Sequence, residues 1–270
     1  MPSRAVAEKK LRLRRVLVLL ERMYGKRAWR RRGSGLDVLV EAMLAQNTNM
    51  ANARRGYQML RRRFPRWADV LAAPVGDVQR EIAICGLARM RARRLQDLLG
   101  RILKERGRLS LEFLARESVE AGFEYLMSFY GIGPKTAAFT LMFAFAQPVL
   151  PVDNGVLRVL RRLRLVRPKA RDLEAERTLS PLIAAGRHYP MHVLLFHHAK
   201  ARCRPRNPKC HECALLETCP WGQRVVRHRP PAADEFKPPR GTRPMLVLAK
   251  YVSAGLAKRG EREEGRRAGG

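Results

Sequence analysis

Apolar residues recur at three- and four-residue intervals along most of the chain, the spacing of one face of an α-helix. Leu13, Val16, Leu17, Leu20 and Tyr24 form the first such stripe. A basic, glycine-containing connector over 25–35 follows, and Leu36, Leu39, Val40, Met43 and Leu44 form the second stripe. Further helical periodicity covers 53–64, 75–85, 90–105, 109–115 and 119–129, with Pro65, Pro74, Gly86 and Gly107 as punctuation. Val, Ile and Thr never alternate over a strand-length run, so no strand is predicted. The pattern predicts an all-α protein. Beyond Cys219 the chain turns rich in Pro, Gly and Arg, which predicts a mostly disordered tail with one short helix at 245–257.

The 270 residues are 46% hydrophobic, enough for one large core or two modest domains. Lys and Arg number 55 against 24 Asp and Glu, a net charge of +31. Residues 223–270 hold twelve Lys/Arg and five Asp/Glu, so +24 belongs to the body of the protein. A body this basic implies a polyanionic partner, most simply nucleic acid. A genome that favours arginine codons explains Arg in place of Lys, but not the excess over acids. No run approaches the roughly 18 apolar residues of a membrane helix. The apolar run 16–20 is short and meets Glu21 and Arg22 at once, unlike a secretory signal. A cytoplasmic, nucleoid-associated monomer is expected.

Two local patterns carry candidate chemistry. The first is Cys203-x6-Cys210-x2-Cys213-x5-Cys219. Four thiolates suit tetrahedral zinc or a four-iron cluster. Structural zinc usually takes two tight Cys pairs. Here one pair, Cys210 and Cys213, has an outlier on each side, which favours a [4Fe–4S] cluster. Two disulfides are the remaining alternative, disfavoured in a reducing compartment. Cys85 stands on an apolar stretch with Ile82, Ile84 and Leu87 and reads as a small core residue.

The second pattern is Tyr130-Gly131-Ile132-Gly133-Pro134-Lys135-Thr136-Ala137, between two apolar helical segments. Gly131 and Gly133 permit a tight turn with outward amides, and Pro134 fits the first turn of a helix. The predicted helix–hairpin–helix suits a phosphate. Lys135 falls at the positive end of the second helix, which disfavours an ammonium there and favours the neutral amine of a Schiff-base nucleophile. Read alone, it is more simply a phosphate-binding lysine. A helix from 135 to 146 is about 17 Å long. The segment 147–152 carries Pro148 and Pro151 and, if extended, spans about 20 Å. Asp153 is therefore expected to return beside Lys135, and it precedes the apolar helix 156–165, where it would also serve as N-cap.

Together these residues resemble the endonuclease III family of DNA glycosylases within the helix–hairpin–helix superfamily, over about residues 36–219. The resemblance implies a six-helix barrel over 35–150 ending in the hairpin. It implies a second helical domain made of 1–34 with 151–222 and closed by a [4Fe–4S] cluster, with 223–270 as a basic tail. DNA would bind across the cleft between the two domains. The partner would be double-stranded DNA with damaged bases or abasic sites. The implied activity is removal of a damaged base, an oxidised pyrimidine for preference, followed by lyase cleavage 3′ to the abasic site. Lys135 matches the family's nucleophile and Asp153 its essential aspartate. Gln46 matches a residue that fills the gap left by the flipped base, and Leu87 a wedge in the opposite strand. Arg204, Arg206 and Lys209 match a loop that meets the phosphate backbone.

Two positions depart from the family pattern. Asn154-Gly155 follows the aspartate where Thr-His is usual, and Tyr130 stands where proline is common. The first lies beside the lesion pocket and bears on substrate preference. Two rival functions are a monofunctional mismatch glycosylase, which would use Asp153 to activate water without Lys135, and a non-catalytic DNA-binding module.

Overall fold

The computed structural model describes residues 3–228. The predicted helix at 245–257 and most of the predicted disordered tail lie outside them. Among the described residues there are helices and turns and no strand, as the periodicity predicts. In chain order the α-helices are α1 (Arg4–Tyr24), α2 (Gly35–Leu44), α3 (Met50–Arg63), α4 (Trp67–Ala72), α5 (Val75–Glu81), α6 (Ala88–Arg106), α7 (Val119–Met127), α8 (Pro134–Phe145), α9 (Asn154–Arg162), α10 (Asp172–Leu179), α11 (His188–Ala201) and α12 (Pro220–His228). The chain divides into two compact units, Trp29–Pro151 and Met1–Ala28 with Val152–Gly270.

In the unit Trp29–Pro151, α8 is the central helix. Apolar residues surround it, with Ala137, Ala138, Leu141, Met142, Phe143 and Ala144 all buried, as expected of a helix enclosed by others. It packs against α2 and α7. Small residues set these approaches. A Cβ on Gly35 would stand 2.5 Å from the Phe145 ring, and one on Gly122 would stand 2.7 Å from Leu141. The start of α2 is closed by a reciprocal cap: Ser34 Oγ accepts from the Asp37 amide, and Asp37 accepts from the Ser34 amide at 2.9 Å. Cys85 is buried against Gly56 of α3, and its thiol donates to the Asn52 carbonyl at 3.5 Å, so it is the small core residue expected.

Two segments differ from the periodicity. The stretch 109–115 forms only a 3-10 turn at Glu112–Ala115. Seven residues are too few to sustain a helix alone. Glu112 is drawn off to accept from the Gly35 amide at 2.9 Å, at the start of α2, and from Arg31. The segment 75–85 breaks after Glu81 into a separate 3-10 turn at Ala83–Cys85. The periodicity also passes over α4, a short helix between Pro65 and Pro74.

In the other unit, α1 buries Leu13, Val16, Leu17 and Leu20 and packs on α11, which also meets α9. Arg12 donates to the Leu163 carbonyl at 2.5 Å, placing a cation at the negative end of α9. Residue 223 was expected to open the tail, but α12 runs on to His228. Trp221, Val225 and Val226 hold it there by packing with Cys210 and Leu216, so the first residues of the expected tail are helical.

Candidate functional site

The turn between α7 and α8 has the backbone that its glycines suggest. Gly131 sits at φ +82°, in the left-handed region, and Gly133 is the N-cap of α8 with Pro134 at its first position. The first intrahelical bond runs from the Ala137 amide to the Gly133 carbonyl, at 3.0 Å. Earlier amides of α8, including those of Lys135 and Thr136, precede that bond and belong to the unsatisfied end of the helix. Ile132 is buried and anchors the turn, while Tyr130 is 79% exposed at its tip. The Arg94 guanidinium lies 4.5 Å from the Tyr130 ring centre. Lys135 is exposed on the first turn of α8.

Gln46 and Leu87 come from two other loops of the same unit. Gln46 reaches the hairpin: its side-chain amide donates to the Gly131 carbonyl at 2.9 Å and to Thr136 Oγ1 at 3.2 Å. Thr136 is the neighbour of Lys135. Leu87 is the N-cap of α6, 62% exposed, with φ +50°. A left-handed leucine is a genuine outlier.

Asp153 belongs to the other unit. It caps α9, accepting at Oδ1 from the Val156 amide at 2.7 Å. A Cβ on Gly155 would lie 3.2 Å from that same oxygen and 3.1 Å from Ala199 Cβ. Glycine at 155 therefore leaves the carboxylate and α11 undisturbed where a side chain would press on both.

The four cysteines are free thiols lining one cavity, with Val159, Leu163, Leu215, Leu216 and Trp221 as apolar walls. Two N–H groups donate to the sulfurs, and a histidine nitrogen approaches a third. Arg162 donates to Cys203 Sγ at 3.2 Å, the Gly222 amide donates to Cys219 Sγ at 3.3 Å, and His198 Nε2 lies 3.6 Å from Cys213 Sγ. Tyr24 of α1 meets the other ring nitrogen of His198 at 3.0 Å. Burial, then the neighbouring sulfurs, push the Cys210 thiol up to about 12. Burial likewise raises Cys213 and Cys219. Burial and the nearby Arg202 and His197 lower His198 to about 4. Among the described residues, no three His, Cys, Asp or Glu side chains are grouped to hold a metal ion. The donor set nevertheless fits a thiolate-bound group: four soft ligands, an apolar wall, and N–H donors directed at sulfur.

The loop between Cys203 and Cys210 exposes Arg204 and Arg206. Lys209 is half-buried and pairs with Glu212 at 3.5 Å, so its charge is partly used within the loop. The loop is held from below by Arg162, whose guanidinium donates to the Arg204 carbonyl at 2.9 Å and the Pro205 carbonyl at 3.3 Å while lying 3.7 Å from the Trp221 ring centre.

Sequence reasoning missed Arg91, Arg162, His198 and Tyr24. A signal existed for two of them. Arg91 stands on the buried stripe of α6 with Leu95, Leu98 and Ile102, and His198 on that of α11 with Met191 and Leu195. A polar residue in register with an apolar stripe must find partners inside.

Residues 40–184 match the family model described as HhH-GPD superfamily base excision DNA repair protein. A putative DNA glycosylase of Arabidopsis thaliana is 35% identical over 69% of this chain and 65% of its own length. The endonuclease III of Bacillus subtilis is 32% identical over 69% of this chain and 81% of its own. A structure of endonuclease III trapped as a covalent intermediate with DNA superposes with a TM-score of 0.67 at 25% identity, over 80% of this chain and 98% of that one. On the hairpin, the all-helical fold and these matches, the chain belongs to the HhH-GPD superfamily of base excision DNA repair proteins and is of the endonuclease III type.

Proposed function

We propose that the protein binds damaged double-stranded DNA and is a bifunctional DNA glycosylase and AP lyase acting on oxidised pyrimidines. The observation that carries the reading is Lys135, an exposed amine on the first turn of the helix that directly follows the glycine hairpin. A lesion inside a duplex must be flipped out, at a cost of a few kcal/mol. The hairpin amides and the positive end of α8 bind a backbone phosphate. Leu87 and Gln46 fill the space the nucleotide leaves. Lys135 Nζ attacks C1′ of the deoxyribose as the bond from C1′ to the base breaks, and the base departs with the electron pair. The Asp153 carboxylate stabilises the positive charge developing on the sugar and assists proton transfer. The nitrogen then sheds a proton and its lone pair forms the C1′=N bond of a Schiff base as the C1′–O4′ bond opens and O4′ takes up a proton. Loss of a C2′ proton and cleavage of the bond from C3′ to oxygen cut the strand 3′ to the site.

Cys203, Cys210, Cys213 and Cys219 would hold a [4Fe–4S] cluster. Bound there, it ties the loop carrying Arg204, Arg206 and Lys209 into shape for the phosphate backbone. Support comes from the spacing of the cysteines, their shared cavity and the N–H donors aimed at two of the sulfurs.

Borohydride trapping on a duplex with one abasic site tests the reading. The parent protein is expected to become covalently linked to DNA, and Lys135→Gln to lose both trapping and strand cleavage while still binding. A parent that excises bases but never traps is a monofunctional glycosylase. A Lys135→Gln variant that traps at the parental rate means another amine is the nucleophile.

A further inference from the structure

Two loops of the Trp29–Pro151 unit carry the residues assigned to the flipped-base gap, and both pass through the left-handed region. Asn47, directly after Gln46, has φ +53°, and Leu87, directly after Gly86, has φ +50°. A left-handed leucine costs on the order of 1 kcal/mol or more and persists only where its surroundings impose it, whereas asparagine adopts this region more readily. One side chain reaches both loops. Arg91, one turn into α6 and only 7% exposed, donates Nε to the Gly86 carbonyl at 2.9 Å and one terminal nitrogen to the Met43 carbonyl at 2.5 Å. Its other terminal nitrogen donates to the Gln46 carbonyl. Two of these three carbonyls belong to the residues that immediately precede the left-handed ones. The third lies in the last turn of α2, at the root of the Gln46 loop. Arginine suits this task because its planar fork holds several donors in fixed relation, which lysine cannot reproduce.

We infer that Arg91 is a positioning residue that locks the Gln46 loop and the Leu87 loop to each other, so that wedge and gap-filler enter the duplex as one rigid pair. Burying a guanidinium against carbonyls alone is costly, and a leucine in register with Leu95, Leu98 and Ile102 would serve the core more simply. The arrangement is explained by what it holds. The Gln46 side chain, docked on Gly131 and Thr136, extends the same framework to the hairpin. The inference rests on the glycosylase reading and deepens it.

The test uses the full chain with Arg91→Lys, Arg91→Met and Leu87→Ala, alone and with Leu87→Ala combined with Arg91→Lys. Three readouts are taken. They are excision of an oxidised thymine, strand cleavage at a preformed abasic site, and fluorescence of 2-aminopurine opposite the lesion, which rises on unstacking. Arg91→Lys is expected to unfold cooperatively, to lose most of the 2-aminopurine rise and to excise about tenfold more slowly, the scale of coupling between side chains in contact. Cleavage at the abasic site, where no base resists flipping, should change far less. The combined variant should be little slower than Leu87→Ala alone, because both act on one step. Losses that multiply, equal losses in both reactions, or a parental excision rate in Arg91→Lys would overturn the inference. If Arg91→Met fails to fold, Arg91→Lys decides. A parent that unstacks 2-aminopurine without excising sinks the catalytic reading and leaves the role of Arg91 to be read from fluorescence. A parent that does neither sinks both.

Discussion

In the proposed mechanism Asp153 serves the fold and the chemistry together. As N-cap of α9 it accepts from the Val156 amide, which fixes the direction of its carboxylate. Asparagine caps nearly as well, so Asp153→Asn should unfold close to the parent temperature. It removes the negative charge, and base excision should slow by about a hundredfold, the scale of one well-placed electrostatic or acid–base group. Single-turnover excision beside a thermal melt separates the two effects. A variant that excises normally would mean that Asp153 is a cap and nothing more. Gly155 belongs to the same account: its missing side chain keeps the Oδ1 of Asp153 clear.

Among the elements, α2 and α8 start in opposite ways, α2 with a reciprocal side-chain cap and α8 with a glycine N-cap and a proline in its first turn. The Asp37 carboxylate is worked against by burial, but hydrogen bonds from Ser34 and Tyr57 and the nearby Arg61 outweigh this and hold its pKa below the ordinary carboxylate value. The stabilisation is therefore fully present above the unfolded pKa of about 3.9 and is lost as pH falls through the depressed folded value. Asp37→Asn should cost about 1 kcal/mol or somewhat more at pH 7, the scale of losing a cap and a charge-assisted bond. The difference between variant and parent should shrink towards pH 3. Thermal melts of both proteins across that range check it, and a gap that widens on acidification would contradict the sign. The hairpin before α8 depends instead on backbone freedom, through Gly131 at φ +82°. The 3-10 turn at Glu112–Ala115 shows the opposite balance, where tertiary demands on Glu112 override a helical pattern too short to hold itself.

For the whole molecule, metal content and charge give two expectations. The purified protein should be brown, with a broad band near about 400 nm and about four irons per chain, as four thiolates on one cluster imply. Alanine at Cys203, Cys210, Cys213 or Cys219 should lower the iron content, whereas Cys85→Ala, buried in the other unit, should leave it unchanged. One zinc and no iron would overturn the assignment. Affinity for undamaged duplex should fall steeply with salt, because +24 of the +31 charge lies outside residues 223–270. Removing residues 229–270 should weaken that binding without ending catalysis. The cut is placed after His228 because α12 packs through Val225 and Val226.

The sequence by itself determined the fold class, the hairpin and the candidate ligands, because each is written locally. Helical periodicity, two glycines before a proline and a lysine, and four closely spaced cysteines act over a few residues, and their chemistry needs no distant partner to be recognised. Only the tertiary structure decided what holds these pieces. Arg91 reaches carbonyls at Met43 and Gln46, Arg162 reaches Cys203 and Arg204, and Tyr24 reaches His198. Those partners lie tens to more than a hundred residues away in the chain. Many of them are backbone carbonyls, which every residue type presents alike. A side chain that bonds to a carbonyl leaves no mark on the partner's identity, so periodicity could show that Arg91 and His198 were out of place on an apolar stripe, but not what they were there to hold.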